Sequence, residues 1–305
     1  MRRPFRFAVQ FHSAATSERW IADARRAEEL GYDVVCIPDH VGTQLAPFAA
    51  LTAVAAATSR IGVGTFVLDN DFRHPLLTAH EAATVHLLSD GRLELGLGAG
   101  WLRRDYERLG VEFAPPSMRV DRLAEAVEIV RRYFEGRAFS FDGSHYSVSD
   151  AEPLQLPANL GRPRLLIGGG GRRVLGLAAR SADVASVFLT AKPEGSAFED
   201  MRVETYRRKI EWLRASARAG EIEVNVLLQA FEVTAERRAA VERWAGEFET
   251  TPEDFRALPF GLVGTVDEIV DDLRRHRETY GLSYVTARVE DLETFAPIVE
   301  RLAGR

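Results

Sequence analysis

The stretch VVCIPDH (residues 34–40) ends an apolar run on an acid and an imidazole, Asp39 and His40. An imidazole titrates near neutrality, so His40 can give or take a proton, and Asp39 could orient it or hold a polar edge of a cofactor. The plain alternative is a loop histidine satisfied by backbone. A second feature is LLIGGGGRRV (165–174), where Gly168, Gly169, Gly170 and Gly171 follow a strand and Arg172 and Arg173 open a helix. Glycines let backbone N–H groups face a ligand, and a helix N-terminus adds positive potential, so this pattern suits a phosphate. A flexible turn is the alternative, but four glycines in a row cost entropy without such a use. The loop lacks both the Gly-Lys-Ser/Thr of a Walker loop and a G-x-G-x-x-G fingerprint. LELGLGAGW (93–101) ends a strand in small residues, leaving room for neighbours or for a flat ligand. GTFVLDNDFRHP (64–75) runs a strand into a polar turn with Asp69, Asp71, Arg73 and His74, which also reads as a solvated loop before a helix begun by Pro75.

Other chemistries find little support. His74, His80 and His86 are six apart and share no helix face, and no H-x-x-x-H or cysteine pair exists, so no metal site is expected. No G-x-S-x-G elbow is present and the single cysteine, Cys36, lies mid-strand, which argues against a serine or cysteine nucleophile. The charge, 39 basic against 45 acidic residues with no basic block, argues against nucleic acid. No apolar run suits a signal peptide or a membrane span, and one cysteine fits a reducing compartment; a soluble cytoplasmic protein is expected.

The elements that must position these groups alternate regularly. Strands are expected at 5–11, 33–38, 61–68, 92–100, 164–171, 183–189, 222–231 and 283–289. The first helix starts from Ser17 as N-cap and stops at Gly31. Others are expected at 47–58, 75–89, 119–135, 172–181, 200–219, 235–249, 265–280 and 291–303. Strands fed by helices pair in parallel, and eight such units predict a closed (β/α)8 barrel in one domain, 1–305. An open doubly wound sheet is the runner-up. Such a barrel needs about 250 residues, so 101–118, 136–163, 189–199 and 249–264 are read as insertions. The second contains a hairpin around Asp142-Gly143. Chemistry in barrels lies at strand C-termini, which is where VVCIPDH delivers its last two residues.

Together, GYDVVCIPDH, IGVGTFVLDNDFRHPLLTAHEAATVHLLSDGRLELGLGAGW and LIGGGGRRVLGLAARSADV resemble the luciferase-like monooxygenase superfamily, and most closely its coenzyme F420-dependent oxidoreductases. The resemblance spans about 5–290 and is weakest over 189–264. It implies a (β/α)8 barrel holding a flavin or deazaflavin at the strand C-termini. The non-prolyl cis peptide behind the cofactor's middle ring would be Phe66-Val67. Ala99 and Gly100 match the backbone lining the cofactor, and Gly168 to Gly171 with Arg172 match the phosphate loop. Asp39 and His40 match the acid–imidazole pair near the reactive carbon.

The chain also departs from the pattern. Gln44 stands where the F420-dependent glucose-6-phosphate dehydrogenases carry tryptophan, and Trp101 where they carry glutamate. A substrate pocket of His12, Gln44, Trp101 and Phe188, with Phe72 or Phe260, is more aromatic and less charged. The resemblance thus implies hydride transfer between F420 and a neutral, partly apolar or aromatic organic substrate, in a homodimer. An FMN-dependent monooxygenase using oxygen is the alternative, and a non-catalytic flavin-binding protein a third.

Overall fold

The computed structural model describes residues 3–192, 195–196, 200–216, 218 and 220–305. Eight strands form the centre: β1 (Arg6–Gln10), β2 (Val34–Ile37), β3 (Gly62–Thr65), β4 (Leu93–Gly98), β5 (Arg164–Gly169), β6 (Val184–Val187), β7 (Glu223–Leu227) and β8 (Leu282–Arg288). All pair in parallel, in the order β3-β2-β1-β8-β7-β6-β5-β4, and β3 returns to β4 through Val63 opposite Leu93 and Gly64 opposite Glu94. The sheet closes on itself, so the expected (β/α)8 barrel is the observed fold and the open sheet is not.

Helices cover the outside: α1 (Ser17–Glu29), α2 (Pro47–Ala57), α3 (Pro75–Leu88), α4 (Arg103–Leu109), α5 (Pro116–Tyr133), α6 (Arg172–Ser181), α7 (Val203–Arg214), α8 (Arg237–Glu247), α9 (Pro252–Ala257), α10 (Val266–Tyr280) and α11 (Leu292–Leu302). Their ends obey local chemistry. The side chain of Thr265 accepts from Glu268 N while the Glu268 side chain accepts from Thr265 N, a reciprocal cap, and Gly281 ends α10 at φ +78°. In α1 the cap is Thr16, not Ser17, because the Thr16 hydroxyl accepts from Arg19 N. α5 starts earlier than expected, on Pro116, whose missing N–H costs nothing there. α7 starts later, at Val203, because the Asp200 carboxylate is turned back to accept from Thr190 N at 2.8 Å and from Lys209 Nζ at 2.9 Å.

The stretch 222–231 is two strands rather than one. β7 stops at Leu227, and Ala230–Val233 pairs in parallel with Gly261–Gly264 outside the barrel. The 249–264 segment therefore carries α9 and a strand. The expected hairpin forms as Phe139–Asp142 against Ser147–Ala151. Of the 189–199 segment, residues 193, 194 and 197–199 lie outside the described residues.

The apolar run of β2 divides by alternation. Val34 and Cys36 pack with Ala8, Phe66, Leu166, Val184 and Tyr284 in one cluster, while Val35 and Ile37 join the larger cluster that includes the helices. The N-terminal end of the barrel is filled by charge in balance: Arg6 binds Glu94 and Glu223, Arg164 binds Glu223 at 2.8 Å, and Tyr284 Oη donates to Glu94 at 2.8 Å. Midway, Asn225 joins Ser186 Oγ to Thr286 Oγ1, all fully buried.

Candidate active site

The opposite end of the barrel gathers the residues with chemistry. Past β2, the Asp39 carboxylate is bound by Arg73, with Nη1 to Oδ2 at 2.5 Å and Nη2 to Oδ1 at 3.1 Å, and also accepts from Asp69 N. It is therefore committed and does not orient His40, the first of the two roles expected of it. The partner of His40 is Asp105 on α4: Nδ1 lies 2.7 Å from Oδ2, and Asp105 is only 2% exposed. The His40 ring meets Trp101 edge-on, with centroids 5.7 Å apart.

Past β3 the ladder is interrupted. The Phe66-Val67 peptide is cis, and pairing with β4 resumes only at Leu68 opposite Leu97. The Thr65 hydroxyl spans the gap by donating to Gly96 O and accepting from Gly96 N, while Phe66 O accepts from Gln10. Val67 is pressed against β4 and β5: a Cβ on Gly96, Gly98 or Gly168 would come within 3.1, 2.7 or 3.1 Å of its methyls. With Phe188 and Leu227, Val67 forms a half-buried apolar layer over the interior cluster.

The polar turn after the bulge is not a solvated loop. Tyr106 Oη donates to Asp69 Oδ1 at 3.0 Å, and Arg122 binds Asp71 at 3.1 Å. Burial pushes the Asp69 carboxyl up to about 7, reinforced by the charges of Asp71 and Asp39. Burial raises Asp71 too, against the pull of Arg122. Gly100 sits at φ +72°, where a Cβ would collide with Tyr106 Oη and the Asp69 carboxylate. Ala99 O accepts from Arg119 Nε at 3.1 Å.

The four-glycine loop is sharper than the sequence suggested. Added Cβ atoms would meet Phe188 at Gly168, Val174 at Gly169 and the Leu189 carbonyl at Gly170. These three glycines serve packing. Gly171 alone of the four faces open space, directly before α6, which has no side-chain cap, and Arg172 opens that helix. Arg173 is turned away to Asp121 and Ser117 O.

His12 sits at the rim, 3.0 Å from Glu290, and Gln44 lies half-buried in the loop after His40. Phe188 contacts Phe66 edge-on. Phe260 is buried against Tyr206, and the half-buried Phe72 packs on Tyr106. A hollow of about 240 Å³ runs beyond Trp101, lined by Arg103, Phe113, Arg119 and Lys192. Arg103 and Arg119 both stack on the Phe113 ring.

Residues 3–258 match the pattern of the luciferase-like monooxygenase family. The chain belongs to this family. An F420-dependent glucose-6-phosphate dehydrogenase of Microbacterium testaceum is 33% identical over 189 residues, covering 59% of this chain and 55% of that one. A 5,10-methylenetetrahydromethanopterin reductase of Archaeoglobus fulgidus is 34% identical over 157 residues, covering 52% and 45%. The chain thus spans about half the length of these relatives. In structure, an F420-dependent secondary alcohol dehydrogenase superposes with a TM-score of 0.73 at 18% identity, covering 98% of both chains.

Within this luciferase-like barrel, sequence reasoning missed Asp105, Tyr106 and Arg122. Asp105 and Tyr106 lie in a segment read only as an insertion. The one available signal was the spacing of Asp105 four residues past Trp101, which a short helix turns back toward the mouth.

Proposed function

We propose that this chain is an F420-dependent oxidoreductase moving a hydride between the deazaflavin and a neutral, partly apolar or aromatic organic substrate. The observation that carries the reading is His40, held by a buried carboxylate beside Trp101 at the mouth of a luciferase-like barrel whose relatives include F420-dependent enzymes. The residues fit the cofactor. Val67, Phe188 and Leu227 offer an apolar floor for a flat ring system, and the open backbone at Gly171 with Arg172 offers a phosphate cradle. The deazaflavin supplies the carbon that gives or accepts hydride. Phe66, Val67, Ala99, Gly100, Gly168, Gly169 and Gly170 shape the wall behind it, and Asp39 braces the turn beside it through Arg73.

In this reading His40 handles the proton that accompanies the hydride. It accepts one from a substrate hydroxyl on oxidation or delivers one on reduction. Trp101, His12, Gln44 and Phe188 face the substrate. Arg119 is engaged by Phe113 and by the carbonyls of Ala99 and Ala114, which supports a neutral substrate.

Titrating the protein with F420 and with FMN tests the cofactor, and tight binding of FMN alone overturns it. A panel of neutral alcohols, aldehydes and ketones, read by the F420 absorbance, then gives substrate and direction. The family is described as luciferase-like monooxygenases, so the second reading is an FMN monooxygenase, which oxygen consumption with reduced FMN would support. The reading includes a homodimer, supported by Leu77 and Leu88 standing 50% and 58% exposed on alanine-rich α3, and sedimentation checks it. It also includes a cytoplasmic location, supported by a single, buried, unpaired cysteine. No helix among the described residues is long and apolar enough to cross a membrane.

A further inference from the structure

We propose that Asp105 is a positioning residue for proton transfer at His40: its buried carboxylate holds the hydrogen on Nδ1 and leaves Nε2 as the atom that gives or takes the proton. The inference rests on the F420 reading above for the reaction, but its geometry stands apart from any cofactor. An ionised carboxylate only accepts hydrogen bonds, so at 2.7 Å the imidazole nitrogen must be the donor. A neutral ring with hydrogen on Nδ1 carries its lone pair on Nε2. After protonation, the same carboxylate stabilises the imidazolium.

Arg108 lies 3.6 Å from Asp105 Oδ1 and donates to Val41 O, so it ties α4 to the loop after β2. Asp105 Oδ1 is otherwise buried without a hydrogen bond. Asp39, next to His40 in the chain, is occupied by Arg73 and Asp69 N and offers His40 no competing acceptor. Trp101 fixes the ring edge-on. The next residue of α4, Tyr106, grips Asp69 on the other side of the mouth. One short helix outside the barrel frame therefore sets both edges.

The test is NMR of the protein labelled with ¹⁵N-histidine, the His40 signals being those lost in His40→Asn. At alkaline pH, the parent should show a protonated Nδ1 and a lone-pair Nε2. In Asp105→Asn the amide can donate to Nδ1, so the pattern should mix or invert, and Asp105→Glu should restore it. F420 affinity should change by less than about twofold, while kcat with the best panel substrate falls roughly a hundredfold. A hydrogen on Nε2 in the parent, or an unchanged pattern in Asp105→Asn, overturns the proposal whichever cofactor binds. An unchanged kcat in Asp105→Asn overturns it equally. Failure to bind F420 with the stated NMR pattern intact would count against the cofactor reading alone.

Discussion

At the scale of the residue, the site is built from carboxylates with different tasks. Asp39 is paired with Arg73, Asp105 accepts from His40, and Asp69 takes up a proton. Arg73→Ala leaves the 7%-exposed Asp39 unpaired and should cost about 3 kcal/mol in chemical denaturation. Asp69 gives a pH signature. Its folded value of about 7 lies above the roughly 3.9 of an unfolded aspartate, so the folded state binds the extra proton between them. Stability from this group is present at low pH and is lost as pH rises through that window. Asp69→Asn, which can still accept from Tyr106, removes the slope. Its stability relative to the parent should climb between pH 5 and pH 8, by at most about 1.4 kcal/mol per unit. A constant difference across that range would refute the assignment. Position could suggest His40 and Asp39, because a strand end is visible in an apolar pattern. Their partners could not be read, since Asp105 and Arg73 come from elsewhere in the chain and only the fold brings them near.

At the scale of the element, the glycine-rich strand ends divide into two kinds. Gly96 lies where a Cβ would be 2.1 Å from the Thr65 carbonyl, against rigid backbone. Gly96→Ala should therefore destabilise by at least the ~1–3 kcal/mol of an overpacked core. Gly171 has φ −90° and nothing within 4 Å of its missing Cβ. Gly171→Ala should leave the melting temperature unchanged or slightly raised. If the loop cradles a phosphate, the same substitution should weaken F420 binding. Affinity equal to the parent's would remove Gly171 from the site. Eight strand–helix units were legible because hydrophobic runs and amphipathic stretches alternate throughout. The parallel pair Ala230–Val233 with Gly261–Gly264 was not, because a continuous apolar run hides the break where Leu228 N turns to Thr286 O and Gln229 N to Phe260 O. The four glycines showed that something approaches closely, but not that at three of them it is the protein's own Phe188, Val174 and Leu189.

At the scale of the whole molecule, stability and chemistry occupy opposite ends. Glu223 is 2% exposed and holds both Arg6 and Arg164. Glu223→Ala should cost about 1–3 kcal/mol by removing charge-assisted hydrogen bonds from the partly exposed Arg6 and Arg164, yet leave F420 affinity as it was at temperatures where the fold persists. Cys36 is buried between these ends, and burial raises its thiol well above the ordinary value. It should resist thiol reagents until the barrel opens, so its labelling rate under mild denaturant reports unfolding. The charged base has one more consequence. With the strand N-termini filled by Arg6, Arg164, Glu94 and Glu223, a ligand resting on Val67 is expected to enter by the mouth where Trp101 stands, before anything stands over it. Guests then queue: the one lying deepest arrives first and departs last. Steady-state kinetics should show this compulsory order, with the second product unable to escape while the first still blocks the door.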